Sequence, residues 1–369
     1  MYPILSLLIF SRNDNENALE LAASLVDSVD QVVVIDSSDE KEHTELIEQI
    51  QSYSKIEVYY ALPLGYPEPL YYYGRGRCKG DWILYLDTDE RINDKLKADL
   101  RALINDPSID VYKINRIAVQ KDSRRVVSTQ DLKARLFRKE CVRYLGYING
   151  TPEITGRVQV LPDQYYIIHA LDQNSSKIRR YITIELYEHR LTYIQLLKKG
   201  GEGNRYIVRG FFSFVIFLMS YNKKKESELS KFDYLIYFLG NSIFFSIFSI
   251  IRGKHFNPFF FFDFFRYNLP KIHYMYGLDA NQMRKTFMIS QEISRAGGPI
   301  KYLGFDNIKV VEDMSRKYLE DKDAFLNKSS VVEASDLGSA VFIKLLEEKF
   351  RENSKSAQAV PDSEVSLKF

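Results

Sequence analysis

Residues 80–91 read GDWILYLDTDER, an apolar run that ends in three carboxylates within four positions, Asp87, Asp89 and Glu90. Ile83, Leu84, Tyr85 and Leu86 have the length and apolar character of a buried strand. Like charges crowded at its tip repel unless a cation or hydrogen-bond donors compensate them. Paired carboxylates at the carboxyl end of a strand suit Mg²⁺ or Mn²⁺, ions held by few protein ligands and completed by phosphate oxygens. The plainer alternative has Asp89 capping the helix that starts near Asn93, with Asp87 solvated. Other metal chemistries lack their residues. Five scattered histidines form no zinc motif, and Cys78 and Cys141 have no ligand spacing and are too few for a disulfide framework.

The elements that would position these carboxylates alternate. Apolar runs at 4–10 (ILSLLIF), 31–37 (QVVVIDS) and 56–62 (IEVYYAL) have strand length, and the run at 82–86 is the fourth. Helical patterns fill the gaps: NALELAASLVDSV, EKEHTELIEQIQSY and, after the carboxylates, NDKLKADLRALIND. Such alternation predicts an α/β fold with a mostly parallel sheet flanked by helices. Ligands of such sheets bind beyond the carboxyl ends of the strands, where Asp36 and Asp87 both fall. From 111 onward β segments follow, VYKINRIAV, ARLFRK and QYYIIHA.

A helix with a stripe of Tyr181, Ile184, Tyr187, Leu191, Ile194 and Leu197 is expected over 177–205. It is amphipathic, suited to covering a sheet or lying on a membrane surface. Over 206–267 come two uncharged segments, GFFSFVIFLMSY (210–221) and YLIYFLGNSIFFSIFSII (234–251). The second would be about 27 Å long as a helix, against about 30 Å of hydrocarbon. Basic residues flank both, so charge asymmetry gives no orientation. A helical region over 268–350 and a disordered tail over 351–369 are expected to follow. The start of the chain, YPILSLLIF, has no basic n-region or cleavage site, so no secretory signal is expected. A net charge of +2 gives no general polyanion-binding character, and no nucleic-acid partner is expected.

Taken in order, SLLIFSRNDNE, VDQVVVIDSSDEKEHT, GRGRCKGDWILYLDTDER and ARLFRK resemble a family 2 glycosyltransferase of the GT-A fold, over roughly residues 4–170. The resemblance implies a catalytic domain over 1–176. Ser11, Arg12, Asn13 and Glu16 would line the nucleotide, and Asp36 would accept hydrogen bonds from base or ribose. Asp87 would contact ribose or metal, Asp89 would ligate the metal, and Glu90 would orient Arg91 or cap the following helix. Where the family often carries Asn, this chain has Arg75 and Arg77, which could pair with the donor's phosphates. The ring nitrogen of His169 could supply a third metal ligand. An inverting transfer needs a carboxylate to take the acceptor's proton. Glu153, in the loop GYINGTPEITG, is the first candidate, with Asp131 and Glu140 behind it.

The implied activity is inverting, metal-dependent transfer of a hexose from GDP-mannose or UDP-glucose to a lipid-linked acceptor. It would act at the cell membrane, bound to membrane lipids, with its catalytic domain facing the cytoplasm. Alternatives are a lipopolysaccharide-core or surface-polysaccharide transferase bound peripherally, and an inactive nucleotide-sugar-binding scaffold.

Overall fold

The computed structural model describes residues 3–120, 126–128, 131–148, 150–171, 280–322, 325 and 337–358. The expected amphipathic helix over 177–205 and hydrophobic segments over 206–267 lie outside the described residues. Two compact units divide the chain, one of Met1–Ser175 with Gly297–Leu345, the other of Ser176–Ala296 with Leu346–Phe369.

The first unit opens as the alternation predicts. Strands β1 (Leu5–Ser11), β2 (Gln31–Asp36), β3 (Ile56–Tyr60) and β4 (Trp82–Asp87) are linked by helices α1 (Asn15–Leu25), α2 (Glu40–Ile50) and α3 (Tyr71–Arg77). After β4 come β5 (Glu90–Ile92), α4 (Asp94–Ile104), β6 (Val111–Gln120), β7 (Val126–Ser128) and β8 (Leu132–Arg138). Short strands β9 (Val142–Arg143), β10 (Glu153–Ile154) and β11 (Val158–Val160) precede β12 (Tyr166–Leu171).

The main sheet runs β3-β2-β1-β4-β8-β6-β12-β5, with β7 and β11 also on β6. Its first four strands are parallel, β8 is antiparallel to both neighbours, and β12 is again parallel to β6. This is a mixed α/β sheet flanked by helices: parallel in the half that alternation governs, mixed where the β segments follow one another. β9 and β10 pair separately.

Burial explains the near-continuous apolar character of the central strands. On one face Leu5, Leu7, Ile9, Val32, Val34, Leu84 and Leu86 pack with Leu21 and Leu25 of α1 and Leu96, Leu100 and Ile104 of α4. The other face carries α3, at a close approach that glycine makes possible. A Cβ on Gly74 would stand 2.9 Å from both Leu8 Cδ1 and Phe10 Cζ. Helix α4 is capped by Asn93, whose side chain accepts from the Leu96 N–H, so Asp89 is not its cap.

The rest of the described chain is helical: α5 (Ala280–Ala296), α6 (Pro299–Leu303), α7 (Ile308–Glu320) and α8 (Leu337–Gln358). Within the first unit, α7 lies on the β3 side, where Ser315 Oγ accepts from the Leu62 N–H at 3.0 Å and Glu312 pairs with Arg77. The ring of Phe342, in α8, meets Tyr66 edge-on at 5.2 Å. Within the second unit, Lys285 pairs with Glu347 at 2.7 Å and the Asn353 amide donates to Glu292 at 3.1 Å. Helix α8 reaches Gln358, eight residues into the segment expected to be a disordered tail (351–358).

Candidate functional site

The carboxyl ends of β1, β2 and β4 are tied together by short polar bonds. Asn13 follows β1 with φ +50°, a left-handed conformation that asparagine tolerates better than most residues. Its N–H donates to Ser38 Oγ at 2.7 Å, and its carbonyl oxygen Oδ1 accepts from the Asp39 N–H at 3.0 Å. Asp14 accepts the Thr88 hydroxyl at 2.6 Å, joining the β1 loop to the Asp87–Asp89 turn. Ser11 is buried, and its hydroxyl has no hydrogen-bond partner among the described residues. Glu16, in the first turn of α1, is exposed.

Around Asp87 lies a buried ionic network. Arg135 of β8, 5% exposed, extends one nitrogen to both the Asp87 carboxylate and Glu90 Oε1, the latter at 2.7 Å. Its guanidinium covers the Tyr85 ring at 4.4 Å. Glu90 is fully buried; it also accepts from Arg116 at 3.1 Å and from the Asp87 N–H at 3.2 Å. Burial pushes Asp87 upward, but the Arg135 charge outweighs it and holds the carboxyl below its ordinary range. Glu90 goes the other way: burial, reinforced by the neighbouring Asp87 charge, raises it despite both arginines.

The Glu90 side chain therefore takes neither expected role. Arg91 turns instead to Glu20 at 2.9 Å and to the carbonyls of Thr88 and Glu90.

Asp89 points elsewhere, toward His169. Strand β5 lies antiparallel to β12, with Glu90 opposite His169, and this brings His169 Nε2 to 3.3 Å from Asp89 Oδ2. Both side chains keep some exposure, 31% for Asp89 and 16% for His169. Among the described residues no three His, Cys, Asp or Glu side chains gather as a complete metal cage. The donor set nonetheless fits a small divalent cation. An octahedral ion with ligands at about 2.1 Å sets neighbouring ligands about 3 Å apart, and Mg²⁺ or Mn²⁺ takes its remaining ligands from phosphate and water. Asp87, drawn to Arg135, is not gathered with the pair.

The other predicted residues are spread more widely. Asp36 is fully buried, with Oδ1 accepting the Ser38 N–H at 3.2 Å and the Ser38 hydroxyl at 2.5 Å, and Oδ2 meeting His43 Nδ1 at 2.7 Å. Arg12 lies beside Gly338, where a Cβ would stand 2.3 Å from its guanidinium and 2.4 Å from the Gly65 nitrogen. Arg75 covers the Tyr72 ring at 4.5 Å and donates to the Lys139 carbonyl and Glu140, each at 3.2 Å. Arg77 covers Tyr59 and Tyr73 and pairs with Glu312. The two arginines expected at the phosphates are thus used in packing α3, and the cation beside Asp87 is Arg135.

Glu153 is half exposed on β10, 3.7 Å from Arg143; no bond joins it to the Asp87 network among the described residues. Of the fallback bases, Asp131 is bound by Arg116 at 2.5 Å and Lys133 at 3.2 Å. Burial raises it, but those cations win and lower it, which makes it a poor proton acceptor. Glu140 is largely exposed beside Arg75.

Sequence reasoning missed Arg135, Arg116 and His43 as the partners of Asp87, Glu90 and Asp36. Arg135 stood in the quoted ARLFRK motif, and an arginine within an apolar strand was the available signal.

No family model matches the chain, and no curated protein sequence matches it. Among solved structures it is similar to S. aureus TarS, at 18% identity over 50% of this chain and TM-score 0.35. That match spans 39% of the TarS chain, and one to TarS 1–349 in complex with UDP spans 64%. A further TarS 1–349 structure aligns with 79% of this chain and 91% of its own, at 15% identity and TM-score 0.39. The mannosyltransferase PcManGT from Pyrobaculum calidifontis, in complex with GDP-Man and Mn²⁺, aligns with 56% of this chain and 67% of its own, at 12% identity and TM-score 0.36. These are partial likenesses of chain path, and the site stands on its own residues.

Proposed function

We propose that the chain is a divalent-cation-dependent, inverting glycosyltransferase that moves mannose or glucose from a nucleotide sugar to a lipid-linked acceptor at a membrane surface. One observation carries the reading: Asp89 and His169, eighty positions apart in sequence, face each other 3.3 Å apart beyond the carboxyl end of β4. Ligands of α/β sheets bind at that edge. Asp89 and His169 would hold Mg²⁺ or Mn²⁺, and the cation would neutralise charge on the diphosphate leaving group.

The chain's own residues do the rest. Arg135 and the Glu90 side chain fix Asp87, whose remaining exposure, 32%, leaves it able to meet the donor's ribose. The acceptor oxygen bonds to the anomeric carbon as the bond from that carbon to the phosphate oxygen breaks, and the electron pair leaves with the diphosphate. The acceptor's proton passes to a carboxylate, for which Glu153 is the candidate. The uncharged segments 210–221 and 234–251 supply the membrane part of the reading, with the catalytic unit on the cytoplasmic side.

A panel of UDP-, GDP-, ADP- and CDP-sugars, assayed for hydrolysis with and without Mn²⁺, tests this. One donor should be hydrolysed faster with the metal. Hydrolysis of none, with no nucleoside diphosphate bound, would contradict the reading. A second reading, donor binding without transfer, draws on the placement of Glu153, whose only ionic partner among the described residues is Arg143. It predicts metal-dependent nucleotide binding with no hydrolysis of any donor.

A further inference from the structure

Strand β6 alternates along its length, and its even residues Tyr112 and Ile114 face the core. Both are buried, and the Tyr112 hydroxyl donates to the Leu103 carbonyl of α4 at 2.9 Å. The odd residues of β6 share the opposite face, and residues paired with them across the sheet lie on that face too. Val158, Val160, Leu132, Ile168 and Val126 stand opposite successive odd positions of β6, from 111 to 119. All five are aliphatic, and each is 38–52% exposed. They come from β11, β8, β12 and β7, so no single strand groups them. The sheet does.

The chain that builds this face is basic. Residues 111–171 hold eleven Lys and Arg against five Asp and Glu, whereas residues 1–110 hold ten against twenty-one. Clustered exposed apolar side chains mark a surface that meets a protein or a membrane. Charge decides between them. A second copy seated on the same face would bring like charges together, and the five exposed side chains include none of the aromatic residues that protein interfaces favour. An anionic lipid surface takes aliphatic side chains at its headgroup boundary, and each Lys or Arg brought near it strengthens binding by roughly fivefold.

We propose that the odd face of β6 and its neighbours is a docking surface for anionic lipid, with the acidic residues of 1–110 keeping the rest of the sheet away from the headgroups. The proposed function places the chain at a membrane without saying which surface of the sheet meets it, and this inference supplies that surface. It holds whether or not the Asp89–His169 pair binds a metal.

The test uses the full chain, with Cys141→Ser to remove the part-exposed thiol, carrying a fluorophore on Val160→Cys or, as control, on Glu48→Cys of α2. Each protein is reconstituted into vesicles containing spin-labelled phosphatidylcholine as quencher, in phosphatidylcholine alone or in equal parts phosphatidylcholine and phosphatidylglycerol. In the mixed vesicles the label at 160 should lose about half its emission or more, as a group at the headgroup boundary does, and the label at 48 should not. Quenching at 160 should fall in phosphatidylcholine alone, in high salt, and when Val158→Asp is added to a protein whose Trp82 emission shows it folded. A label at 160 that lipid does not quench in either composition overturns the proposal, as does equal quenching at 160 and 48. Quenching at 160 that is the same with and without phosphatidylglycerol overturns the assignment to anionic lipid. A label unquenched by lipid that self-quenches as protein density rises overturns it in favour of a second copy on this face.

Discussion

Replacing Arg135 by methionine removes the cation that two carboxylates share. Arg135 and Glu90 are 5% and 0% exposed, so neither charge is well solvated, and Asp87 is two-thirds covered. Breaking a buried pair by deleting one partner costs about 3–5 kcal/mol, because the other charge stays behind. Arg116 still reaches Glu90 at 3.1 Å, and Asp87 keeps partial contact with water. Both reduce the penalty, so the lower end, about 3 kcal/mol at pH 7, is expected.

The pH dependence follows from the sign of the shifts. Glu90 already sits above the ordinary carboxylate range, and loss of Arg135 raises it further while releasing Asp87 upward. The folded variant then binds protons that its unfolded chain does not in the window above the ordinary carboxylate pKa. Its stability therefore rises as pH falls from 7 toward 5, and the gap to wild type narrows. Trp82, the only tryptophan and fully buried on β4, reports urea unfolding of this sheet by its fluorescence. A loss below about 1 kcal/mol at pH 7, with no change by pH 5, would refute the ionised network. Adding Glu90→Gln to Arg135→Met should recover part of the loss, since it removes the stranded charge.

Cys78 is held by burial up to about 12, so at pH 8 its thiolate fraction is on the order of 10⁻⁴, and alkylation should label the part-exposed Cys141 first. Because the Cys78 shift is upward, its contribution to stability is complete below the unfolded thiol pKa and is lost as pH rises from there toward 12; melting curves across that window check the sign. Asn93→Ala removes the α4 cap together with bonds to the Tyr166 N–H at 3.2 Å and the Gln164 carbonyl at 2.9 Å. It should cost about 1–2 kcal/mol in urea unfolding. Glu153→Gln should lower transfer by roughly 10²–10⁴ at saturating donor while nucleotide affinity holds; retention of most of the rate would assign the base elsewhere.

The parallel half of the sheet was legible because each of its strands is an apolar run between helical patterns. The Asp87–Asp89 turn was legible because carboxylates crowd the tip of a buried strand. Helix α3 was not. Tyr71-Tyr72-Tyr73-Gly74-Arg75-Gly76-Arg77 holds two glycines in seven residues, and propensity argues against it. It forms because Gly74 lets its backbone close on Leu8 and Phe10, a contact no local pattern records.

For the same reason Arg75 and Arg77 read as phosphate ligands, although their partners, Glu140 and Glu312, lie 65 and 235 positions away. The partners of Arg135, Asp87 and Glu90, come from β4 and β5, 48 and 45 positions away, which its own strand does not record. Asp36 read as a nucleotide contact at a strand end, and its contact with His43, seven residues on, is visible only once α2 folds back over that end.

Calorimetric titration of UDP and GDP with and without Mn²⁺ tests whether Asp89 and His169 hold a divalent cation for a nucleoside diphosphate. The wild type, Asp89→Ala and His169→Ala should be compared. Mn²⁺ should strengthen nucleotide binding in the wild type, and both variants should stay folded but lose this enhancement. An Asp89→Ala protein with the same Mn²⁺-dependent affinity as wild type would contradict this assignment.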